Sequence, residues 1–328
     1  MEEKKTIVLV SASFYKGDEL FAYLKKYSKK SDGQFVYWDE FAFTLENLSD
    51  YDAVLIMNNP SEKMEITCFP ENVIAFMMEP GFRVEHVWMF KKLQQYATVY
   101  SPLQNSANTV QSHGFLGWHL MHDYEYLSKL AVPEKTAMVS CIASDLTRFK
   151  GHRRRVDFIK QLQQEIPTID FFGRGSNFLP DKFNGLLPYR YSIAIENASI
   201  PYYFTEKIND CFLAYTVPIY YGCKNIGKYF PERSFIHINI EEPFGAIEKI
   251  KQIVSEDDWK QRIGPLQEAR QLVLNKYQPL AGAAGILRQI KPTVKQAVLL
   301  KPVPLTLTKK IKKILQHNKI SFRKLTGI

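Results

Sequence analysis

The sequence predicts an α/β protein made of two doubly wound domains that face each other across a cleft. Short apolar segments of strand length alternate with segments of helical periodicity, which is typical of a parallel sheet covered by helices on both faces. The pattern restarts around Val132–Thr136, so two such units follow one another along the chain. With 328 residues, the chain is long enough for two domains with full cores.

In the first unit, an apolar strand in KTIVLVSAS precedes a helix in DELFAYLKKYSKK. Further strands are predicted in QFVYWDE, YDAVLIMNN, ENVIAFMME and ATVYSP. In the second unit, strand, helix, strand, strand, helix, strand and strand are predicted in AMVSCIAS, RRRVDFIKQLQQEI, TIDFFGRG, YSIAIEN, EKINDCFLAY, VPIYYG and SFIHINI. Helices then extend from about Phe244 to Tyr277. We therefore expect domains at 1–133 and 134–290, followed by a basic segment at 291–328.

The basic charge of the chain is concentrated at its C-terminal end. The formal net charge is +9, and residues 291–328 contain ten Lys or Arg and no acid, which leaves −1 for the body. A near-neutral body argues against a nucleic-acid-binding protein, in which basic charge lines the fold itself. In LTKKIKKILQHNKISFRKL, isoleucines and leucines stand among lysines. We expect residues 301–328 to contact an anionic membrane surface as a short interfacial helix, with a solvated disordered tail as the alternative.

Two further features of the sequence indicate the cellular compartment of the protein. The N-terminus, MEEKKTIVLV, lacks the basic n-region and long apolar h-region of a signal peptide, and no apolar run approaches the roughly 20 residues of a membrane span. The four cysteines show neither CxxC pairing nor zinc spacing; they are Cys68, Cys141, Cys211 and Cys223. We expect reduced core thiols in a cytoplasmic protein that is peripheral at the inner face of the cytoplasmic membrane.

A lysine stands at the start of a predicted helix, where a helix already presents partial positive charge. In FTEKIND, Thr205 is a suitable N-cap, which places Glu206 and Lys207 in the first turn. An anion bound at this helix start would explain Lys207. A second helix begins with Arg153–Arg155, and one of these arginines is expected to complete a diphosphate site. The P-loop pattern is absent, and GRGSNF is not the dinucleotide fingerprint.

Two carboxylates follow predicted strands, at the edge of the sheet where open α/β folds bind ligands. Glu79 follows VIAFMM and precedes Pro80-Gly81, so it is a candidate general base. The alternative is a loop acid that caps a helix or pairs with Arg83. Glu196 follows YSIAI, beside Asn197. It can contact a sugar hydroxyl or act as a second carboxylate, or it can accept backbone N–H groups in a turn.

Metal sites receive little support from the sequence. In GWHLMHDY, the residues His119 and His122, with Asp123 beside them, have some ligand character, but no further ligand stands at a known spacing. The DYD segment at 50–52 precedes a strand instead of following one, so we interpret it as a turn and not as a metal–diphosphate motif. We expect no metal.

Residues Tyr189–Ile238 resemble the donor-binding signature of the family 10 glycosyltransferases, the α1,3/1,4-fucosyltransferases. The resemblance is carried by YSIAIEN, YFTEK, TVPIYY and YFPERSFI, which occur in the order and at the spacing of the family. A weaker upstream likeness is carried by Ser144, Arg155, Leu162, Asp170, Phe172 and Gly173. The first 130 residues match only in organisation.

The resemblance implies a GT-B architecture, in which two Rossmann-like domains face each other. The N-terminal domain would hold the acceptor and the C-terminal domain GDP-fucose, with no cofactor and no metal. By position, the implied donor-binding residues are Arg155, Glu196, Asn197, Tyr203, Thr205, Glu206 and Lys207. The family's catalytic carboxylate lies in an ESP segment, and Glu79 of MMEPGF is the best local match, although the serine is missing.

The function implied by the resemblance is inverting transfer of fucose from GDP-fucose to a hydroxyl of an acceptor glycan, with Glu79 as general base. A bacterial enzyme acting on a lipid-linked acceptor is expected, with lipopolysaccharide or a similar surface glycan as the destination. Two alternatives stay open. One is the same fold and mechanism with another GDP-linked deoxy or amino sugar. The other is a non-catalytic protein that binds a glycan or a membrane surface.

Overall fold

The computed structural model describes residues 5–80, 87–143, 150–173 and 177–303. Most of the segment expected at a membrane surface, 304–328, lies outside these residues, as do Arg83 and Ser144. Among the described residues, no helix combines the length and the apolar character needed to cross a membrane. The four cysteines are free and buried, as predicted for core thiols.

The described residues contain both strands and helices of ordinary length. The strands are β1 (Thr6–Ala12), β2 (Lys30–Ser31), β3 (Phe35–Trp38), β4 (Phe41–Thr44), β5 (Ala53–Met57), β6 (Met64–Cys68), β7 (Val73–Phe76), β8 (Thr98–Ser101), β9 (Thr109–Gln111), β10 (Ala137–Ile142), β11 (Asp170–Phe172), β12 (Tyr189–Ile195), β13 (Val217–Tyr221), β14 (Ile236–His237) and β15 (Gln296–Leu300). The helices are α1 (Gly17–Tyr27), α2 (Tyr124–Lys129), α3 (Lys150–Glu165), α4 (Glu206–Leu213), α5 (Pro243–Glu256), α6 (Ile263–Asn275) and α7 (Pro279–Leu287).

The first half is built on an eight-stranded sheet with the order β2-β3-β4-β1-β5-β7-β8-β9. The strands from β4 to β9 in this order are parallel, and β2 and β3 add an antiparallel edge. The five strands predicted for this unit are confirmed as β1, β3, β5, β7 and β8. The strands β2, β4 and β9 were missed: β2 and β9 have only two and three residues, and β4 begins so soon after β3 that the sequence shows no break between them.

The prediction of helices on both faces of the first sheet is wrong in part. One face is covered by α1 and by α7, which comes from the far end of the chain. On the other face, the buried side chains of β5 and β7 join an apolar cluster with Met89, Leu93 and Leu300, which lie in two short 3-10 turns and in β15. A ribbon of β6 and β15 and these turns therefore take the place of helices on that face.

The second half is a five-stranded sheet in which every pairing is parallel, with the order β11-β10-β12-β13-β14. All the strands and helices predicted for this unit are confirmed. The near-continuous apolar runs of β12 and β13 are buried throughout, apart from Arg190, as expected for strands covered on both faces.

The chain returns to the first half after α7. Arg288 donates hydrogen bonds to Glu40 at 2.7 Å and to Asp39 at 2.8 Å, and Lys295 lies 3.0 Å from Asp52. Strand β15 then pairs antiparallel with β6. Residues 296–300, which the sequence placed in the basic segment, are thus a strand of the first half. The distribution of charge along the sequence did not indicate this strand, because its partner, β6, lies more than two hundred residues earlier.

Candidate functional site

The carboxyl ends of the two parallel sheets open into a common cleft of about 690 Å³. The first sheet contributes the residues that follow β7, and the second sheet contributes the ends of β10, β11 and β12. Ligands of open α/β sheets bind at this edge. Seven of the predicted site residues line the cleft, namely Glu79, Arg155, Asn197, Tyr203, Thr205, Glu206 and Lys207.

Helix α4 begins at the cleft as the sequence predicted. Thr205 has extended backbone angles, and its hydroxyl oxygen accepts the backbone N–H of Lys207 at 3.4 Å, so Thr205 is the N-cap. Ile208, Cys211 and Phe212 form the buried face of the helix. The helix ends at Leu213, two residues before the expected apolar position at Tyr215.

Glu196 lies beneath this helix start and is buried, without lining the cleft. Its carboxylate accepts the backbone N–H of Thr205 at 2.8 Å and lies 2.8 and 2.9 Å from the Thr205 hydroxyl. A side chain at Gly222 would meet Glu196, because an added Cβ would lie 2.4 Å from its Cγ. Burial raises the pKa of Glu196, while Lys207 opposes this shift. Glu196 thus accepts a backbone N–H group beneath the helix start, which was the alternative to contact with the donor.

Lys207 is held by carboxylates of the protein itself. Its Nζ lies 3.0 Å from Thr205 Oγ1, 3.1 Å from Glu206 Oε1 and 3.3 Å from Glu196 Oε2. Burial alone would lower the pKa of Lys207, but Glu196 and Glu206 hold it well above its ordinary value. The carboxylates of the protein therefore balance this lysine, and anion binding at the helix start stays a prediction. The lysine is a fixed cation before any ligand binds, and its side chain still reaches the cleft.

Two lysines and a histidine from three parts of the chain surround Glu206, and burial lowers the pKa of the histidine, His119. Besides Lys207, the side chains of His119 and Lys182 lie 3.8 and 3.9 Å from Glu206 Oε1. Burial alone would raise the pKa of Glu206, but Lys207, His119 and Lys182 together hold it below its ordinary value. Lys182 also lies 3.3 Å from the buried Asp210, a residue of α4. Glu206 is therefore an ionised acceptor that faces the cleft.

Lys182 and His119 are two basic residues of the cleft that the sequence did not assign to a donor site. Lys182 lies in a short turn after β11, where no local pattern marks it. His119 was weighed only as a metal ligand with His122 and Asp123. His122 instead stacks on Tyr126, and Asp123 caps α2 by accepting a backbone N–H. Across the described part of the chain, no group of three or more His, Cys, Asp or Glu is placed to hold a metal ion.

The structure distinguishes the three arginines of α3, which begins at Lys150 and not at Arg153 as predicted. Arg153 and Arg154 lie on the outer side, where Arg154 pairs with Glu241. Arg155 is buried and lines the cleft, and its Nη1 donates to Asn197 Oδ1 at 2.7 Å. One arginine of the run therefore reaches the site, as the sequence anticipated.

Glu79 reaches the cleft from the first sheet, opposite α4. It follows β7 by three residues, and the chain there is fixed because Met78 donates its N–H to Asn58 Oδ1 at 2.7 Å. Tyr203 lies near it across the cleft. Burial raises the pKa of Tyr203, and the charges of Glu196 and Glu79 add to that rise. The cleft thus has a carboxylate on the first side and the cations Arg155 and Lys207 on the other.

Comparison with known proteins finds a family match in the second half. Residues 132–259 match the family model described as glycosyltransferase family 10 (fucosyltransferase) C-term. The human 3-galactosyl-N-acetylglucosaminide 4-alpha-L-fucosyltransferase is 26% identical over 192 residues, which are 56% of this chain and 50% of the relative. The chain thus spans about half the length of the curated relatives it matches.

Two solved structures share the two-sheet arrangement. A crystal structure of alpha1,3-fucosyltransferase with GDP has a TM-score of 0.52 at 16% identity and covers 89% of this chain and 93% of that one. An Escherichia coli structure described as trehalose-6-phosphate bound with UDP-2-fluoro glucose has a TM-score of 0.52 at 10% identity, covering 88% and 100%. At these identities the likeness shows the fold. It confirms the predicted GT-B architecture of facing Rossmann-like sheets.

Proposed function

We propose that this protein transfers fucose from GDP-fucose to a hydroxyl of an acceptor glycan, because its residues 132–259 match the model of the family 10 glycosyltransferases. The observation that carries this proposal is the cleft itself. Arg155 and Lys207, from the segment that matches the family, face Glu79 of the other sheet across one cavity. Such a cavity can hold a charged leaving group on one side and a base on the other.

The donor diphosphate is proposed to bind at the start of α4. The N-terminus of this helix presents backbone N–H groups and partial positive charge. The side chains of Lys207, which is paired with Glu196 and Glu206, and of the buried Arg155 lie beside it. These groups would stabilise the charge that develops on the leaving GDP, so we propose that no metal is required. The ionised Glu206 would accept hydrogen bonds from sugar or ribose hydroxyls.

Glu79 is proposed as the general base. It would remove the proton of the acceptor hydroxyl while that oxygen attacks the anomeric carbon of fucose from the face opposite GDP. The bond to the diphosphate breaks as the new glycosidic bond forms, and the configuration inverts. One carboxylate suffices, because the departing diphosphate needs charge stabilisation and not a proton.

The acceptor and the location belong to the same proposal. A lipid-linked acceptor, with lipopolysaccharide or a similar surface glycan as the destination, would place the enzyme at the inner face of the cytoplasmic membrane. Residues 301–328 of the basic segment would then hold it on anionic lipid. As an acceptor probe we choose the 3-galactosyl-N-acetylglucosaminide disaccharide, because the name of the human relative specifies that sugar.

Titration calorimetry with GDP, GDP-fucose, UDP and GDP-mannose, with and without EDTA, tests the donor site. We expect GDP and GDP-fucose to bind equally well in EDTA and UDP to bind weakly or not at all. A preference for UDP would refute the proposal. Binding of GDP without consumption of GDP-fucose would favour another GDP-linked sugar. Binding of both without any turnover across acceptors would favour a non-catalytic protein.

A further inference from the structure

Three aromatic side chains form a patch at the carboxyl edge of the first sheet. Phe14 and Tyr15 follow β1 and expose 37% and 40% of their surface. Tyr23, on α1, is partly exposed beside them. Single exposed apolar residues are common on protein surfaces, but adjacent exposed aromatic rings mark a binding surface more often. We call this set of three residues the aromatic platform.

The aromatic platform rests on a fixed base. The ring centroids of Phe14 and Tyr15 are 5.0 Å apart, and they lie 5.8 and 5.5 Å from that of Tyr23. Tyr23 contacts the buried ring of Tyr27 at 4.9 Å, and Tyr27 contacts the buried Trp118 at 4.5 Å. Because each ring is held by the next, the exposed rings lose little conformational freedom when a ligand covers them.

The aromatic platform lies beside the cleft. Trp118 is followed directly by His119, which lines the cleft. Burial raises the pKa of Tyr23, and the charge of Glu206 contributes to that rise, so Tyr23 lies within electrostatic range of the start of α4. In the first sheet a single strand, β5, separates β1 from β7. Two strand spacings put the backbones of β1 and β7 about 10 Å apart, and Phe14 and Glu79 follow the ends of these strands by two and three residues.

Building on the proposed fucosyl transfer, we propose that the aromatic platform binds a sugar ring of the acceptor glycan, next to the ring whose hydroxyl meets Glu79. A sugar ring has a face of C–H groups that packs on aromatic rings, while its hydroxyls remain at the edge. The phenol group of Tyr15 can hydrogen-bond to such hydroxyls, whereas that of Tyr23 shares a hydrogen bond with Tyr27. A separation of about 10 Å suits an acceptor of two or more sugars.

The size and the position of the aromatic platform favour a glycan over a protein partner. A stable protein interface buries about 800 Å² on each side, far more than three partly exposed rings can supply. The platform also lies outside residues 132–259, the part of the chain that matches the family model. It is therefore a property of the first half, on the side of the cleft opposite the donor site.

Acceptor binding to alanine variants tests the platform. The variants are Phe14→Ala and Tyr15→Ala in the full chain, and Phe244→Ala is the control, because Phe244 is 84% exposed at the start of α5 in the second half. Saturation-transfer NMR on the GDP-loaded protein would measure binding of the 3-galactosyl-N-acetylglucosaminide disaccharide and of N-acetylglucosamine alone. We expect each platform variant to weaken disaccharide binding about five- to tenfold. Monosaccharide binding, GDP affinity and the control should not change.

Three results would contradict glycan binding by the aromatic platform. The first is unchanged disaccharide binding in both variants. The second is a wild-type protein that binds GDP but not the disaccharide, which would leave the donor proposal standing. The third is self-association of the wild type that Phe14→Ala abolishes, with glycan binding unchanged, which would assign the patch to a second copy. A protein that binds neither GDP nor GDP-fucose would instead refute the proposed function. Titration of the unloaded protein with the disaccharide would then still show whether the aromatic platform binds a glycan.

Discussion

Replacing Glu196 with glutamine separates a supporting role from direct contact with the donor. Glutamine keeps the length of the side chain and one oxygen that can accept the Thr205 N–H and hydroxyl. It removes the negative charge that lies 3.3 Å from Lys207 Nζ and 2.8 Å from the Thr205 amide nitrogen. The variant therefore perturbs the electrostatics under α4 with little change in volume.

The size of the effect follows from these contacts. A hydrogen bond to a charged group contributes about 1.5–3 kcal/mol, against about 0.5–1.5 kcal/mol for a neutral one. Part of the difference is offset, because burial disfavours the ionised carboxyl, as the raised pKa of Glu196 indicates. We expect a loss of about 1–2 kcal/mol of stability, which for a chain of this size lowers Tm by a few degrees.

Thermal unfolding of Glu196→Gln with and without GDP measures the effect. The control is Glu165→Gln, which removes an exposed carboxylate that pairs with Lys251 and should change Tm very little. GDP should still raise the Tm of Glu196→Gln, because Arg155 and Lys207 remain. A variant as stable as the control that has lost GDP binding would refute our reasoning, because Glu196 would then contact the donor directly.

Four further outcomes are expected. Glu79→Gln should retain GDP binding in calorimetry and lose turnover by about 100- to 10,000-fold, and near wild-type turnover would exclude Glu79 as the base. Lys207→Ala should weaken GDP binding about 10- to 100-fold, and unchanged affinity would remove Lys207 from the donor site. Burial lowers the pKa of His113 from 6.5 to about 3, so the unfolded chain binds the extra proton between these values and stability falls as the solution is acidified below pH 6.5. The variant His113→Asn can still accept the Phe115 N–H, which Nδ1 of His113 accepts at 3.1 Å. In denaturation at pH 4–6 it should reduce the slope of unfolding free energy against pH by up to about 1.4 kcal/mol per pH unit. An unchanged slope would contradict a neutral His113. Deletion of 304–328 should release the protein from anionic vesicles in a flotation assay, and persistent binding would mean that another surface is the anchor.

Local sequence patterns determined most of the secondary structure of the second half. Its strands are continuous apolar runs, and the cap and apolar face of α4 can be recognised within ten residues of FTEKINDCFL. These features depend on periodicity and capping, which act over neighbouring residues. The rule that parallel sheets bind ligands at their carboxyl edge pointed to Glu79 and Glu196, of which Glu79 lines the cleft and Glu196 is buried beside it.

Only the tertiary structure decided which charges meet. Lys207 is balanced by Glu196, and Glu206 is contacted by Lys182 and His119, which approach from separate loops. Strand β15 likewise pairs with β6 across more than two hundred residues. Sheet order, register and the packing of the two halves set these distances. Side-chain partners brought together in this way leave no periodic signal in the sequence, so a pattern of residue types can nominate the charged groups of a site but not their pairing.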